Sequence, residues 1–180
     1  MPLLKEQAVP VADKKKLDRP KIGVYTLIML NRTSESRLAK SKAAECVCGS
    51  LRKAARAVTQ LYDEALRPTG LRVTQFGILG ATMAMEPVTV SRLAEATVTD
   101  RTTLTRNLKL LEKQGLIRID SGNDRREREV TLTDRGREAV AKAYPLWQKA
   151  QHHVVNSLGE ERWQVLRQEL SAVVSLTRGS

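Results

Sequence analysis

From residue 45 onward the apolar positions fall into helical spacing, switch once to strict alternation, and return to helical spacing up to the C-terminus. Leu51, Ala55, Val58, Tyr62 and Ala65 recur at three- and four-residue steps, which predicts one buried face of a first long helix that Pro68 and Gly70 end. A second helix, capped by Thr74, carries Phe76, Leu79 and Met83 and closes before Pro87. Val88-Thr89-Val90 is a β-like step, and Thr89 is placed to cap a brief helix over Val90–Ala96 with Leu93 and Ala94 inward. After a polar turn at Thr97–Thr99, a longer helix is expected from about Asp100 to Gln114. Thr99 is its candidate cap and Gly115 supplies a left-handed C-terminal turn.

The alternating segment follows. Ile117 and Ile119 alternate with Arg118 and Asp120, Val130 and Leu132 flank Thr131, and Ser121-Gly122-Asn123-Asp124 has turn chemistry, so a hairpin with an exposed tip is expected. Thr133 and Asp134 open a long helix to about Ser157, which Pro145 should bend. A last helix, Glu160 to about Leu176, aligns Trp163, Leu166, Leu170 and Val173. The pattern predicts a mainly α fold with a small β-hairpin wing: a winged helix-turn-helix over 74–132, framed by long helices at 45–68 and 133–177. These long helices have more apolar stripe than so small a centre can cover, which points to a homodimer in which they cover each other.

Charge changes the picture only in part. The 180 residues hold 31 Lys and Arg against 20 Asp and Glu, a net of +11, which favours a polyanionic partner. Residues 1–44 hold ten basic and four acidic side chains (+6), leaving 21 and 16 (+5) for residues 45–180, so DNA affinity must come from a few placed cations. Residues 1–44 have three prolines and no sustained period. They fit either a basic disordered arm or a stretch ahead of a true start near Met29. Ile22–Leu30, behind a run of lysines, has the outline of a secretory segment but lacks the small-residue cleavage context, and its nine residues are too few to span a bilayer. The two cysteines, Cys46 and Cys48, are too close to staple a fold, and a reducing cytoplasm is the natural setting.

The helix from Asp100 has two faces. Leu104, Leu108 and Leu111 fall on one line and Thr102, Arg106, Lys109 and Lys113 on the opposite one. Arg106 can donate two hydrogen bonds to a guanine edge, Thr102 and Thr103 offer hydroxyls and methyls, and Lys109 can reach a phosphate. An isolated helix of this kind would be an ordinary solvated surface. The short helix before it and the basic ribbon after it make a DNA reader the better account. Arg125, Arg126 and Arg128 on the ribbon can enter the neighbouring minor groove, with Asp124 pairing a nearby arginine to hold the wing's shape. The candidate DNA-binding set is therefore Arg101, Thr102, Thr103, Thr105, Arg106 and Lys109 on the helix and Asp124, Arg125, Arg126 and Arg128 on the ribbon.

These stretches resemble the MarR family of winged helix-turn-helix transcription regulators. The resemblance runs over about residues 45–176 and rests on Val88–Ala96, Asp100–Leu108, Leu111–Ile117, Asp124-Arg125-Arg126 and Val130–Gly136. It implies a homodimer built from the terminal helices that binds a pseudo-palindromic operator on double-stranded DNA, each half-site about one helical turn from its mate, and usually represses transcription until a ligand or oxidant releases it. It also implies a pocket for a small anionic or phenolic effector. Arg92 stands where an acidic residue is common in that family.

Candidate sensing chemistry is sparse. Cys46 and Cys48 at a helix N-terminus are a possible sensor: paired thiols can bind soft metals or arsenite or take up an oxidant, although free cysteine also enters helices simply as a small apolar residue. Adjacent His152 and His153 point to different helix faces, so no metal site is expected. No Gly-rich phosphate loop, HExxH, GxSxG or CxxC occurs, which argues against an enzyme and implies no cofactor and no catalytic residues. The competing class is a basic architectural or ribosome-associated protein, whose binding would be indifferent to sequence and strongly salt-dependent.

Overall fold

A computed structural model describes residues 46–122 and 127–178, with side chains to residue 176. The chain falls into two compact units, Met1–Ser50 and Leu51–Ser180. In the first, the described residues 46–50 open a helix, where the Cys46 carbonyl accepts the Ser50 N–H at 2.9 Å.

The described residues are mainly helical. In chain order the elements are α1 (Val47–Leu66), a 3-10 turn at Arg67–Thr69, α2 (Val73–Met85), β1 (Val88–Thr89), α3 (Val90–Ala96), α4 (Arg101–Lys113), β2 (Ile117–Ser121), β3 (Arg128–Leu132), α5 (Asp134–Leu158) and α6 (Glu160–Arg178). The expected hairpin is present and gains a strand. Val88 and Thr89 pair with Val130 and Glu129, so an antiparallel sheet runs in the order β1-β3-β2. Ile117 faces Leu132 and Ile119 faces Val130, which turns the two-residue alternation inward.

One core joins the pieces. Leu66, Leu79, Leu93, Leu104, Leu108, Leu111, Val88 and Val130 are fully buried in it, and Ala143 of α5 closes one side. Each helix of the module thus packs its stripe against strands only two to five residues long, which by themselves would have no independent stability.

Three local expectations need correction. Thr74 does not cap α2: the helix begins at Val73, whose N–H is taken by the Asp63 carboxylate of α1 at 2.7 Å, while Gln75 accepts from the Arg72 N–H at 2.9 Å. A carboxylate arriving from another helix does the work assigned to a local hydroxyl, and it suits the positive helix end. Thr99 does not cap α4 either, since Asp100 accepts from the Thr103 N–H at 2.8 Å and the Thr99 hydroxyl donates back to the Thr97 carbonyl. The apolar face of α1 is buried only toward its C-terminal end: Tyr62 and Leu66 are sealed, whereas Ala55 and Val58 are exposed. Tyr62 donates to Gln151 of α5 at 2.5 Å, and burial pushes its phenol pKa up.

Candidate nucleic-acid interface

The interface is positioned by a turn and a cap. After α3, the Val98 N–H returns to the Glu95 carbonyl and the Thr99 N–H to the Ala94 carbonyl, a paired closure that requires a left-handed residue at position 98. Val98 adopts it, at φ +49°, although its side chain is β-branched and 57 % exposed. The chain then extends through Asp100 into α4. Hydrogen bonds from the Thr103 hydroxyl and N–H hold the Asp100 carboxyl below its usual range, so this cap is charged at neutral pH.

In α4, Leu104, Leu108 and Leu111 are between 0 and 1 % exposed, and the opposite face is open. Arg101, Thr102, Thr105, Arg106 and Lys109 line one shallow cleft of about 470 Å³. Among the described residues no ion pair engages Arg101, Arg106 or Lys109. Two of the polar side chains here are partly committed: the Thr105 hydroxyl donates to the Arg101 carbonyl at 2.7 Å, and Asn107 donates to Thr103 at 3.0 Å. Thr105 is the one half-buried member of the helical set.

The ribbon divides. Arg128, at the start of β3, shares a second cleft of about 210 Å³ with Arg101, Thr105, Lys109 and Ile119, so it joins the helical cations at the base of the wing and does not extend their reach outward. Gly122 donates to the Glu127 carbonyl at 2.9 Å across the tip. Asp124, Arg125 and Arg126 lie outside the described residues. Arg118 and Asp120 form an exposed ion pair at 2.7 Å within β2, which ties neither strand to the other.

A carboxylate that the sequence did not single out holds the wing to the body. Glu86, at the end of α2, accepts from the Leu132 N–H of β3 at 2.8 Å and pairs with Arg137 of α5. Partial burial pushes its pKa up, but the Leu132 N–H together with the hydrogen bond and charge of Arg137 outweighs this and leaves it below the ordinary carboxylate range. No periodicity or motif marks such a residue, because its partners are 46 and 51 positions away in the chain.

Away from this surface, Cys46 and Cys48 are both exposed, and the Cys46 sulfur accepts the Gly49 N–H at 3.4 Å. His152 and His153 are exposed, and among the described residues no cluster of three His, Cys, Asp or Glu could hold a metal ion. Among those residues no helix is long and apolar enough to cross a membrane.

Known proteins share this architecture. The family model described as MarR family matches residues 69–127. An uncharacterized HTH-type transcriptional regulator of Bacillus subtilis (strain 168), YwoH, is 30% identical over 83 residues. That match spans 46% of this chain and 61% of YwoH. Among solved structures, the M. tuberculosis transcriptional regulator MosR in complex with DNA is 40% identical, with a TM-score of 0.69 over 74% of this chain and 97% of that one. AbsC, a MarR family transcriptional regulator from Streptomyces coelicolor, is 25% identical with a TM-score of 0.67 over 76% and 95%. The winged helix-turn-helix built around α4, the family match across it and the near-complete coverage of MosR place the chain in the MarR family of DNA-binding transcription regulators.

Proposed function

We propose that the protein is a homodimeric repressor that seats α4 in the major groove of each half of a pseudo-palindromic operator and its ribbon in the adjoining minor groove. The observation that carries this reading is the two-sidedness of α4: its leucines are sealed while Arg101, Thr102, Arg106 and Lys109 share one open cleft. Arg106 reads a guanine, Thr102, Thr103 and Thr105 supply shorter contacts, and Lys109, Arg101 and Arg128 take phosphates. Asp124, Arg125 and Arg126 belong to the minor-groove arm of the same proposal. The dimer is supported by apolar faces that the described residues leave open, Val58 of α1 and Val165, Leu166 and Leu170 of α6, each more than a third exposed.

Release follows from ligand or thiol chemistry in the cytoplasm. A cleft of about 640 Å³, lined by Leu71, Leu116 and Ala139 together with Arg135, Glu138 and the Lys142 that pairs with Glu138, suits a small anionic or phenolic effector. The exposed Cys46 and Cys48 are the candidate thiol sensor. With both changed to Ser, operator binding titrated with peroxide, arsenite or zinc should lose whatever response the parent has; identical curves remove the thiols from the account.

The deciding experiment is Arg106→Ala. It should cost about 1–3 kcal/mol on a selected operator and flatten base preference at one position. An equal loss on random DNA would make Arg106 a phosphate contact and favour a binder without sequence preference.

A further inference from the structure

The end of α4 and the start of α5 meet closely, backbone against backbone at Gly136. Gly115 turns the chain at φ +70°, and the next carbonyl, that of Leu116, accepts the Thr133 N–H at 3.1 Å. The Thr133 hydroxyl donates to the Gly115 carbonyl at 2.7 Å and accepts the Gly136 N–H at 3.0 Å, so one residue both caps α5 and ties it to the reading helix. Gly136 then rests directly on Leu116: a Cβ at that position would lie 2.0 Å from the Leu116 carbonyl oxygen. One residue further on, Arg137 pairs with Glu86, whose other oxygen holds the last strand residue of the wing, Leu132. The first turn of α5 is therefore bound on one flank to the reading helix and on the other to α2 and the wing.

A carboxylate is an unusual choice at that place. Glu86 follows the C-terminus of α2, where the helix dipole disfavours negative charge, and its side chain is 15 % exposed. Leucines elsewhere in the core already supply cohesion, whereas a charged hydrogen bond from Arg137 and one from a strand amide fix direction as well as distance.

We propose that Glu86, Arg137 and Gly136 are positioning residues that set the half-site spacing the protein accepts, by locking the angle between α4 and α5. The proposal rests on the dimeric reading above, in which the far part of the long helices joins the two copies. The lever is long: 25 residues of α5 span roughly 37 Å. A rotation of about 5° at its first turn displaces the far end by about 3 Å, close to the ~3.4 Å between successive bases of one strand. Because one base pair also turns the second half-site by about 35°, small freedom at this turn meets the axial part of a base-pair step and only a fraction of its rotation, which softens the spacing penalty without abolishing it.

The test begins with duplexes selected by the parent protein from a random pool, followed by a series with one base pair added or removed at the operator centre. The parent should lose on the order of tenfold in affinity for each such change. Glu86→Gln and Arg137→Met should narrow that loss to about threefold or move the optimum, while base preference within each half-site stays parental. Arg137→Lys, which keeps the charge, should restore most of the discrimination. Gly136→Ala would be the most direct change, but its clash with Leu116 threatens folding, so the Glu86 and Arg137 variants carry the test, measured well below their unfolding midpoints. Contacts that merely stabilise the fold predict a uniform loss of affinity and a spacing profile that overlays the parent's, and that result overturns the proposal. A pool that yields no two-part site defeats the dimeric reading and this inference with it; a two-part site with unchanged profiles defeats only the inference.

Discussion

In α4 the row Leu104, Leu108 and Leu111 is sealed against strands and helices of the same chain, whereas in α6 the equally regular row Trp163, Leu166, Leu170 and Val173 remains partly open, with Leu166 at 40 % and Leu170 at 37 % exposure. Both helices carry a stripe at helical spacing opposite a polar face, and both begin with acidic chemistry suited to a helix N-terminus: Asp100 as the cap of α4, Glu160 and Glu161 in the first turn of α6. The periodicity tells that a face will be covered; it does not tell by what. For α4 the cover is supplied by local chain, α3 and the wing, and the polar face is thereby fixed outward. For α6 no element of the described chain completes the cover, and a second copy of the chain is the partner proposed for it.

The sharpest way to break the contrast is to shorten one leucine on each helix. Leu108→Ala should cost about 2–5 kcal/mol of folding stability, because a sealed site leaves a cavity that its neighbours cannot fill. Chemical denaturation should show that loss at every protein concentration. Leu166→Ala should do little to the fold of one chain and instead weaken self-association by about 1–3 kcal/mol, on the order of ten- to a hundredfold in dissociation constant, since two-fold symmetry repeats the change. Sedimentation at several concentrations separates the cases. An α6 variant that destabilises independently of concentration, with unchanged association, would mean that α6 is covered within its own chain.

A smaller effect concerns how α4 is delivered. Val98 holds the left-handed position that glycine usually takes, at a strain of about 1–2 kcal/mol for a residue with a Cβ. Val98→Gly relieves that strain but adds roughly 0.5–1 kcal/mol of unfolded-chain entropy, and an exposed isopropyl group forfeits little packing. The net expectation is a gain of about 0.5–1 kcal/mol, read as a raised denaturation midpoint with an unchanged slope. A lowered midpoint would mean that the Val98 side chain packs more than its exposure suggests.

The same contrast explains what was legible in the residues alone. Helices, hairpin and the inward leucines of α4 follow from local spacing and turn chemistry, and so does the Gly115 turn, whose glycine announces its conformation. Val98 hides an identical turn because its residue type argues against it. At both helix starts several hydroxyls and carboxylates compete for the same exposed amides: at α2 the winner, Asp63, is delivered by another helix, and at α4 it is the adjacent Asp100 in place of Thr99. Arg128 belonged to the predicted ribbon, but only the strand register places it beside Arg101 and Lys109. The Glu86 clamp left no trace, since neither a glutamate before a proline nor an arginine in a helix's first turn signals a partner.

Acid tests that clamp with the smallest expected effect. Glu86 has its carboxyl pKa lowered in the folded protein from an ordinary 4.5, so its pairing adds stability that is fully present above that value and fades as pH falls through the lowered folded pKa. Many carboxylates titrate in the same range, and the quantity to follow is the difference in unfolding free energy between the parent and Glu86→Gln. That difference should be flat from neutral pH down to about 5, shrink as pH falls further, and vanish once the parent's carboxyl is protonated, because the amide and the neutral acid then present Arg137 with equally uncharged partners. Core leucines contribute no such slope, so Leu108→Ala measured alongside should stay offset by a constant amount. A parent-minus-Gln difference that likewise ignores pH would mean that neither the Leu132 N–H nor Arg137 favours the charged carboxylate over a neutral group, and that the Glu86 charge does not hold α5 to the wing.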